Sequence, residues 1–241
     1  MSEAQAPPHP GEGHTGAGGA NALRAAVLGA NDGLVSVLSL VMGVVGGGLV
    51  TQDILLAGIA GLMSGACSMA MGEWVSVQSA REMYELQLAE ERVELVEYPE
   101  YERLELIDIF VERGIDRETA TVAAEGVLAD PEKALETMAR EELGFDPDEM
   151  GGSAYQAAIA SFTFFLIGAT PPVIPFAFLE RTPAIYLSLI LSSVMLVVIG
   201  VLTSRFTRRG PVYAGVRQLS VGLAAAGVTY AIGSLFNVAV S

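Results

Sequence analysis

Apolar residues gather in five long stretches, each reaching the roughly 20 residues that a helix needs to cross a bilayer. They cover residues 23–50, 53–80, 154–179, 183–206 and 213–240. Only a few residues separate the first two, so these form an antiparallel helical hairpin. A polar block of about 70 residues follows the second stretch. The pattern predicts an all-α polytopic membrane protein with five transmembrane helices and a helical insert between the second and third. Its segments are a disordered tail (1–20), the first two membrane helices (21–80), the insert (81–150) and the last three membrane helices (151–241).

The insert carries its own start and stop signals. From Glu73 the second span continues without a Gly or Pro to Tyr98 and stops at Pro99. Residues 101–113 follow, closed by Gly114. Asp116 is the N-cap of the next helix; Asp130 caps the last, with Pro131 at its first position and Gly144 past its end. Leu104, Ile107, Phe110 and Val111 make an apolar stripe at helical spacing, so the insert is a small bundle. Residues 145–153, with Pro147, Gly151 and Gly152, link it back to the membrane. In the third span Thr170-Pro171-Pro172 and Pro175 interrupt the apolar run. They predict either a broken helix lining a transport site or a kink near the outer end.

Charge sharpens the division. Of 28 acidic and 13 basic residues, 22 and 7 fall within residues 81–150, so the insert holds the whole net charge of −15 and the rest is neutral. A single water-soluble globule, a disordered acidic chain and a nucleic-acid binder are all excluded by that partition. With the N-terminus inside, 12 of the 13 basic residues lie on the cytoplasmic side and only Arg181 lies outside. By the positive-inside rule the N-terminus and the insert are cytosolic, and five spans leave the C-terminus outside. The tail has His9 and His14 but no Lys or Arg, so it lacks the basic region of a secretory signal; it reads as coil. Cys67 is the one cysteine, which excludes an intramolecular disulfide and a CxxC metal site. The short chain without a eukaryotic targeting extension suits a bacterial inner membrane, with a vacuolar membrane as the alternative.

Three constellations carry candidate chemistry. Asp32 sits within the first span in Gly29-Ala30-Asn31-Asp32-Gly33, where a carboxylate at mid-membrane costs roughly 2.5–3.5 kcal/mol. It either faces a path, with Ser36 and Ser39 continuing its face, or caps the helix near the interface. Met69 and Glu73 stand four apart on one face of the second span, with Gly61 and Gly65 on the same line. Glu73 is a second path carboxylate or an interfacial anchor beside Trp74. In the insert, Glu91 and Glu94, then Glu102 and Glu105, are two i,i+3 pairs flanking the Pro99 break, and Met138 and Glu142 are an i,i+4 pair able to join them. Carboxylate oxygens suit Fe²⁺, Mn²⁺, Mg²⁺ or Ca²⁺, and a thioether favours Fe²⁺. The competing reading is a solvated acidic face.

Leu28-Gly29-Ala30-Asn31-Asp32-Gly33-Leu34, Ser64-Gly65-Ala66-Cys67-Ser68-Met69-Ala70-Met71-Gly72-Glu73 and the order of two spans, acidic insert and three spans together resemble the vacuolar iron transporter family over residues 21–240. The resemblance implies a homodimer that moves Fe²⁺, and often Mn²⁺, out of the cytosol in exchange for protons. It implies that Asp32 and Met69 lie on a path at the dimer interface; Glu73, three turns beyond Gly61, is read separately as a carboxylate near the entrance. It places Glu91, Glu94, Glu102, Glu105, Met138 and Glu142 in a metal-binding insert. Gly61 stands where the plant-type protein has a path glutamate, and Ala139 where a second insert methionine is expected. Metal is then cargo and insert-bound ion rather than a prosthetic group, and the chain is not an enzyme. A di-iron oxidase would use Glu-x-x-His pairs, and the insert has no histidine. A membrane scaffold that docks a basic partner on the insert, or a carrier of another divalent cation, is the rival.

Overall fold

The structure, a computed structural model, describes residues 17–147, 153–207 and 209–240. The tail histidines His9 and His14, Arg208 and the glycine pair at 151–152 lie outside them. The described residues form nine helices: α1 (Ala17–Gly46), α2 (Thr51–Glu97), α3 (Pro99–Glu112), α4 (Arg117–Leu128), α5 (Pro131–Glu141), α6 (Ala154–Val173), α7 (Pro175–Phe178), α8 (Arg181–Thr207) and α9 (Pro211–Val240). Five of them, α1, α2, α6, α8 and α9, are long and apolar enough to cross a bilayer. This is an all-helical integral membrane protein. Residues 17–20, expected as coil, form the first turn of α1, because Gly18 and Gly19 weaken a helix without ending it.

The 47 residues of α2 far exceed what a bilayer core of about 30 Å requires at about 1.5 Å per residue. Its apolar part ends before Arg81, and the remainder carries the acidic residues of the insert. The chain divides into two compact units accordingly, one on Val77–Gly152 and the other on Asn21–Ser76 with Ser153–Ser241.

In the membrane unit α1 lies against α6 with the two backbones in contact. A Cβ on Gly33 would stand 2.3 Å from the Phe165 carbonyl oxygen, and one on Gly168 would stand 2.0 Å from that of Ala30. Only glycine permits that approach, and Gly29 with Gly33 is the small-xxx-small spacing that membrane helices use for it. Leu34, Val37, Leu38, Val41, Phe165 and Leu196 are buried in the core that results. The α1–α2 turn needs Gly48 in the left-handed region (φ 77°). Helix α6 runs straight through Pro171 and Pro172, and the chain breaks only at the short α7. The Ser188 hydroxyl donates to the Pro172 carbonyl (2.8 Å), and the Ile174 amide to that of Thr170 (2.9 Å). The interruption thus falls at the end of the span, after Val173, and not within it.

The insert unit follows its capping signals closely. Asp116 accepts from the Thr119 amide (3.0 Å) at the start of α4, and Asp130 from the Glu132 amide (3.2 Å) at the start of α5. Gly114 and Gly144 close α3 and α5 with φ of 91° and 75°. Pro99 does more than stop α2: it occupies the first turn of α3, where its missing N–H costs nothing. Tyr84 stacks on Phe145 at 4.4 Å between ring centroids. The core of the bundle is Leu106, Ile107, Ala120, Ala124 and Met138, with Phe110 and Val111 against it. The expected stripe was wrong at one place. Leu104 is 46% exposed and Leu106 is fully buried; the buried face of α3 also carries Glu102, four residues before Leu106, which a purely apolar stripe passes over.

Candidate metal sites

Within the membrane unit, Asp32 and Met69 line one cavity of about 300 Å³ between α1, α2 and α6. Ser36, one turn after Asp32, donates its hydroxyl to Oδ1 of that carboxylate (3.0 Å). Asp32 is thus held by its own helix through that oxygen. Gly61 and Gly65 also line the space, on the line of α2 that ends at Met69. Their lack of a side chain is used for packing: a Cβ would collide with Leu40 at Gly61 and with the Phe165 ring at Gly65, each at 2.2 Å. A carboxylate, two hydroxyls (Ser36 and Ser68) and a thioether therefore converge in an otherwise apolar cleft. Hard oxygen and soft sulfur together suit a borderline dication such as Fe²⁺.

Ser39, expected to extend the polar face, is not part of the cavity lining; Leu40 takes that place. Glu73 also lies outside the lining. It is half-buried one turn beyond Met69, next to Trp74, whose ring meets Tyr155 edge-on at 6.2 Å. Sequence reasoning missed Phe165, which closes the cavity from α6, and Gln218, whose side chain on α9 donates to Asn31 beside Asp32. Ser68 was within reach of helical periodicity from Gly61 and Gly65. Nothing along the chain signals the other two, because they arrive from distant helices.

In the insert unit the Pro99 break folds α3 back on the end of α2, and this brings Glu91 and Glu102 together. Glu142, at the C-cap of α5, completes the group: one carboxylate oxygen from each of the three lies within 4.8 Å of the others. Glu91 and Glu102 are both only 2% exposed, and among the described residues Oε1 of the former and Oε2 of the latter accept from no donor group. Buried carboxylates are normally paired or hold a cation. Burial, then the neighbouring Glu142, Glu102 and Glu94, pushes the Glu91 carboxyl up to about 8. Burial also raises Glu102, with Glu105 next in effect, and Glu142, again followed by Glu105. Glu94 and Glu105 are therefore close enough to act on the triad without being part of it. Met138 is fully buried in the apolar core, one turn before Glu142.

The sequence model of the VIT family matches residues 23–234. Among curated proteins, the chain is similar to a vacuolar iron transporter of Acanthamoeba castellanii, at 35% identity over 90% of this chain and 80% of the relative. It is similar to vacuolar iron transporter homolog 2.1 of Arabidopsis thaliana, at 32% over 87% and 79%. Vacuolar iron transporter 1 of Tulipa gesneriana is 27% identical over 87% and 85%.

Proposed function

We propose a function from one premise, that this chain belongs to the VIT family: it carries divalent metal, Fe²⁺ and also Mn²⁺, out of the cytosol in exchange for protons. The observation that carries the proposal is the convergence of Glu91, Glu102 and Glu142 with unpartnered buried oxygens. Three crowded carboxylates repel one another, and a dication bound by their oxygens turns that repulsion into attraction. Glu94 and Glu105 strengthen the local field, and Met138 offers sulfur from the core side. Metal captured there passes to Asp32 and Met69, with Glu73 near the entrance. Asp32 and its neighbour Ser36 are exposed in the single protomer. A carboxylate in a membrane span needs protein or water opposite it, and a second copy across a two-fold axis supplies it, giving a homodimer with paired sites. Proton uptake by these carboxylates weakens metal binding, which is the simplest coupling for antiport. The N-terminus and insert face the cytosol and the C-terminus the other side, in a bacterial plasma membrane.

The test is metal uptake into proteoliposomes under an imposed pH gradient, reading internal Fe²⁺ and pH together. Wild type should move metal against a counter-flow of protons, and Asp32→Asn should lose at least 90% of the flux while remaining folded. Metal flux without proton movement would make the protein a uniporter. Full flux in Asp32→Asn would remove the carboxylate from the path.

A further inference from the structure

A second cavity of the membrane unit, about 450 Å³, lies between α1, α8 and α9, away from Asp32 and Met69. All three helices are long and apolar enough to be membrane spans, so the groove lies within the depth of the bilayer. Its lining is graded. Arg181 and Thr182 stand at the first turn of α8, which puts them at the membrane interface; Leu189 lies two turns, roughly 12 Å, deeper. Leu223 and Gly227 of α9 line the opposite side. The guanidinium is held in place: Nη2 donates to the Val45 carbonyl (2.9 Å) and Nε to that of Leu49 (3.2 Å). Among the described residues Nη1 has no acceptor, so a fixed cation with spare donors tops an apolar slot.

We propose that this groove binds a glycerophospholipid, its phosphate on the Arg181 guanidinium and one acyl chain along Leu189 and Leu223. Guanidinium is the side chain best matched to a phosphate diester, and an interfacial arginine is where the headgroup of a membrane lipid lies. The depth and apolarity of the slot fit a hydrocarbon chain. At Gly227 α9 is bare where a side chain would find room: a Cβ there meets nothing within 4 Å. That space is what the chain occupies. This site is independent of the transport assignment.

The full-length protein, delipidated in detergent, is titrated with dioleoyl phosphatidylglycerol, with dioleoylglycerol, and with inorganic phosphate, and followed by native mass spectrometry and thermal melting. Wild type should bind the phospholipid with a rise in melting temperature, and the phosphate-free diacylglycerol at least tenfold more weakly. Gly227→Leu should fill the slot and lose phospholipid binding, with a lipid-free melting temperature no lower than wild type. Arg181→Gln should bind phospholipid no better than diacylglycerol. If that variant does not fold, the comparison of the two lipids on wild type with Gly227→Leu decides the matter alone. The proposal is overturned by equal binding of the two lipids, by unchanged binding in Gly227→Leu, or by inorganic phosphate stabilising as well as the lipid. It is overturned equally if Gly227→Leu changes the oligomeric state, since the groove then belongs to a second copy.

Discussion

Glu91 joins two properties that are rarely compatible, burial and a place among four other carboxylates. Its carboxyl is pushed up to about 8, by burial first and then by Glu142, Glu102 and Glu94. The sign of the consequence is fixed by linkage. A group whose pKa is higher in the folded protein than its ordinary 4.5 stabilises the fold fully below 4.5, and that stability is lost as pH rises through about 8. The metal-free protein should therefore melt progressively lower between pH 5 and pH 9. Glu91→Gln, neutral throughout, should flatten this dependence: it should match wild type near pH 5 and melt above it near pH 9. Mn²⁺ should restore the wild type at the alkaline end and leave Glu91→Gln almost unchanged, because that variant loses one of the three carboxylate ligands. Melting curves with and without Mn²⁺ across that range check all three statements. A flat curve for metal-free wild type would mean that Glu91 is ionised in the fold at neutral pH.

At the scale of elements, the α1–α6 contact sets where Asp32 stands. Gly33 adjoins Asp32 and leaves no room for a Cβ beside the Phe165 carbonyl. Gly33→Ala must then push the helices apart, at a cost of about 1–3 kcal/mol for overpacking, and it shifts Phe165, which closes the cavity. Metal flux should fall at least tenfold while binding to the insert is kept, as isothermal titration with Mn²⁺ would record; unaltered flux would uncouple this crossing from the path. Such crossings also explain what could be read from the chain and what could not. The five spans, the long α2 and the helix-end signals Asp116, Asp130, Gly114 and Gly144 are local, and the structure has each of them. The carboxylate pairs flanking Pro99 were legible too, because a break between two helical runs forces a hairpin. What was not legible needed the neighbouring helix. Leu106 rather than Leu104 faces the bundle because Glu102 shares its face, and a stripe drawn through apolar residues excludes a buried glutamate. Glu73 is spaced four residues from Met69, but the lining of the cavity on α2 runs from Gly61 to Met69 and does not include it. Phe165 and Gln218 reach the site from α6 and α9, more than 130 residues from Asp32.

For the molecule as a whole, the decisive fact is that its entire net charge of −15 belongs to residues 81–150, within one of its two units. Part of that charge is compensated locally, by Arg113 on Glu141, Arg117 on Asp108 and Arg140 on Glu136 and Asp146. Glu94 and Glu105 belong to the uncompensated excess and act on the triad. A field of this kind draws cations toward the unit and accelerates capture, while it adds nothing once the site is saturated. The two regimes separate in a salt titration. Between 0.01 M and 0.15 M salt the Debye length shrinks from about 30 Å to about 8 Å, so distant carboxylates drop out and those touching the metal do not. Initial uptake at metal concentrations well below saturation should fall about tenfold over this range, and the rate at saturating metal should stay constant. Replacing both Glu94 and Glu105 by Gln should lower the low-salt rate toward the high-salt one and leave the high-salt rate nearly unaffected. A salt dependence equal at low and saturating metal would place the effect on the membrane step, and the insert would then act as a ligand alone rather than as a collector.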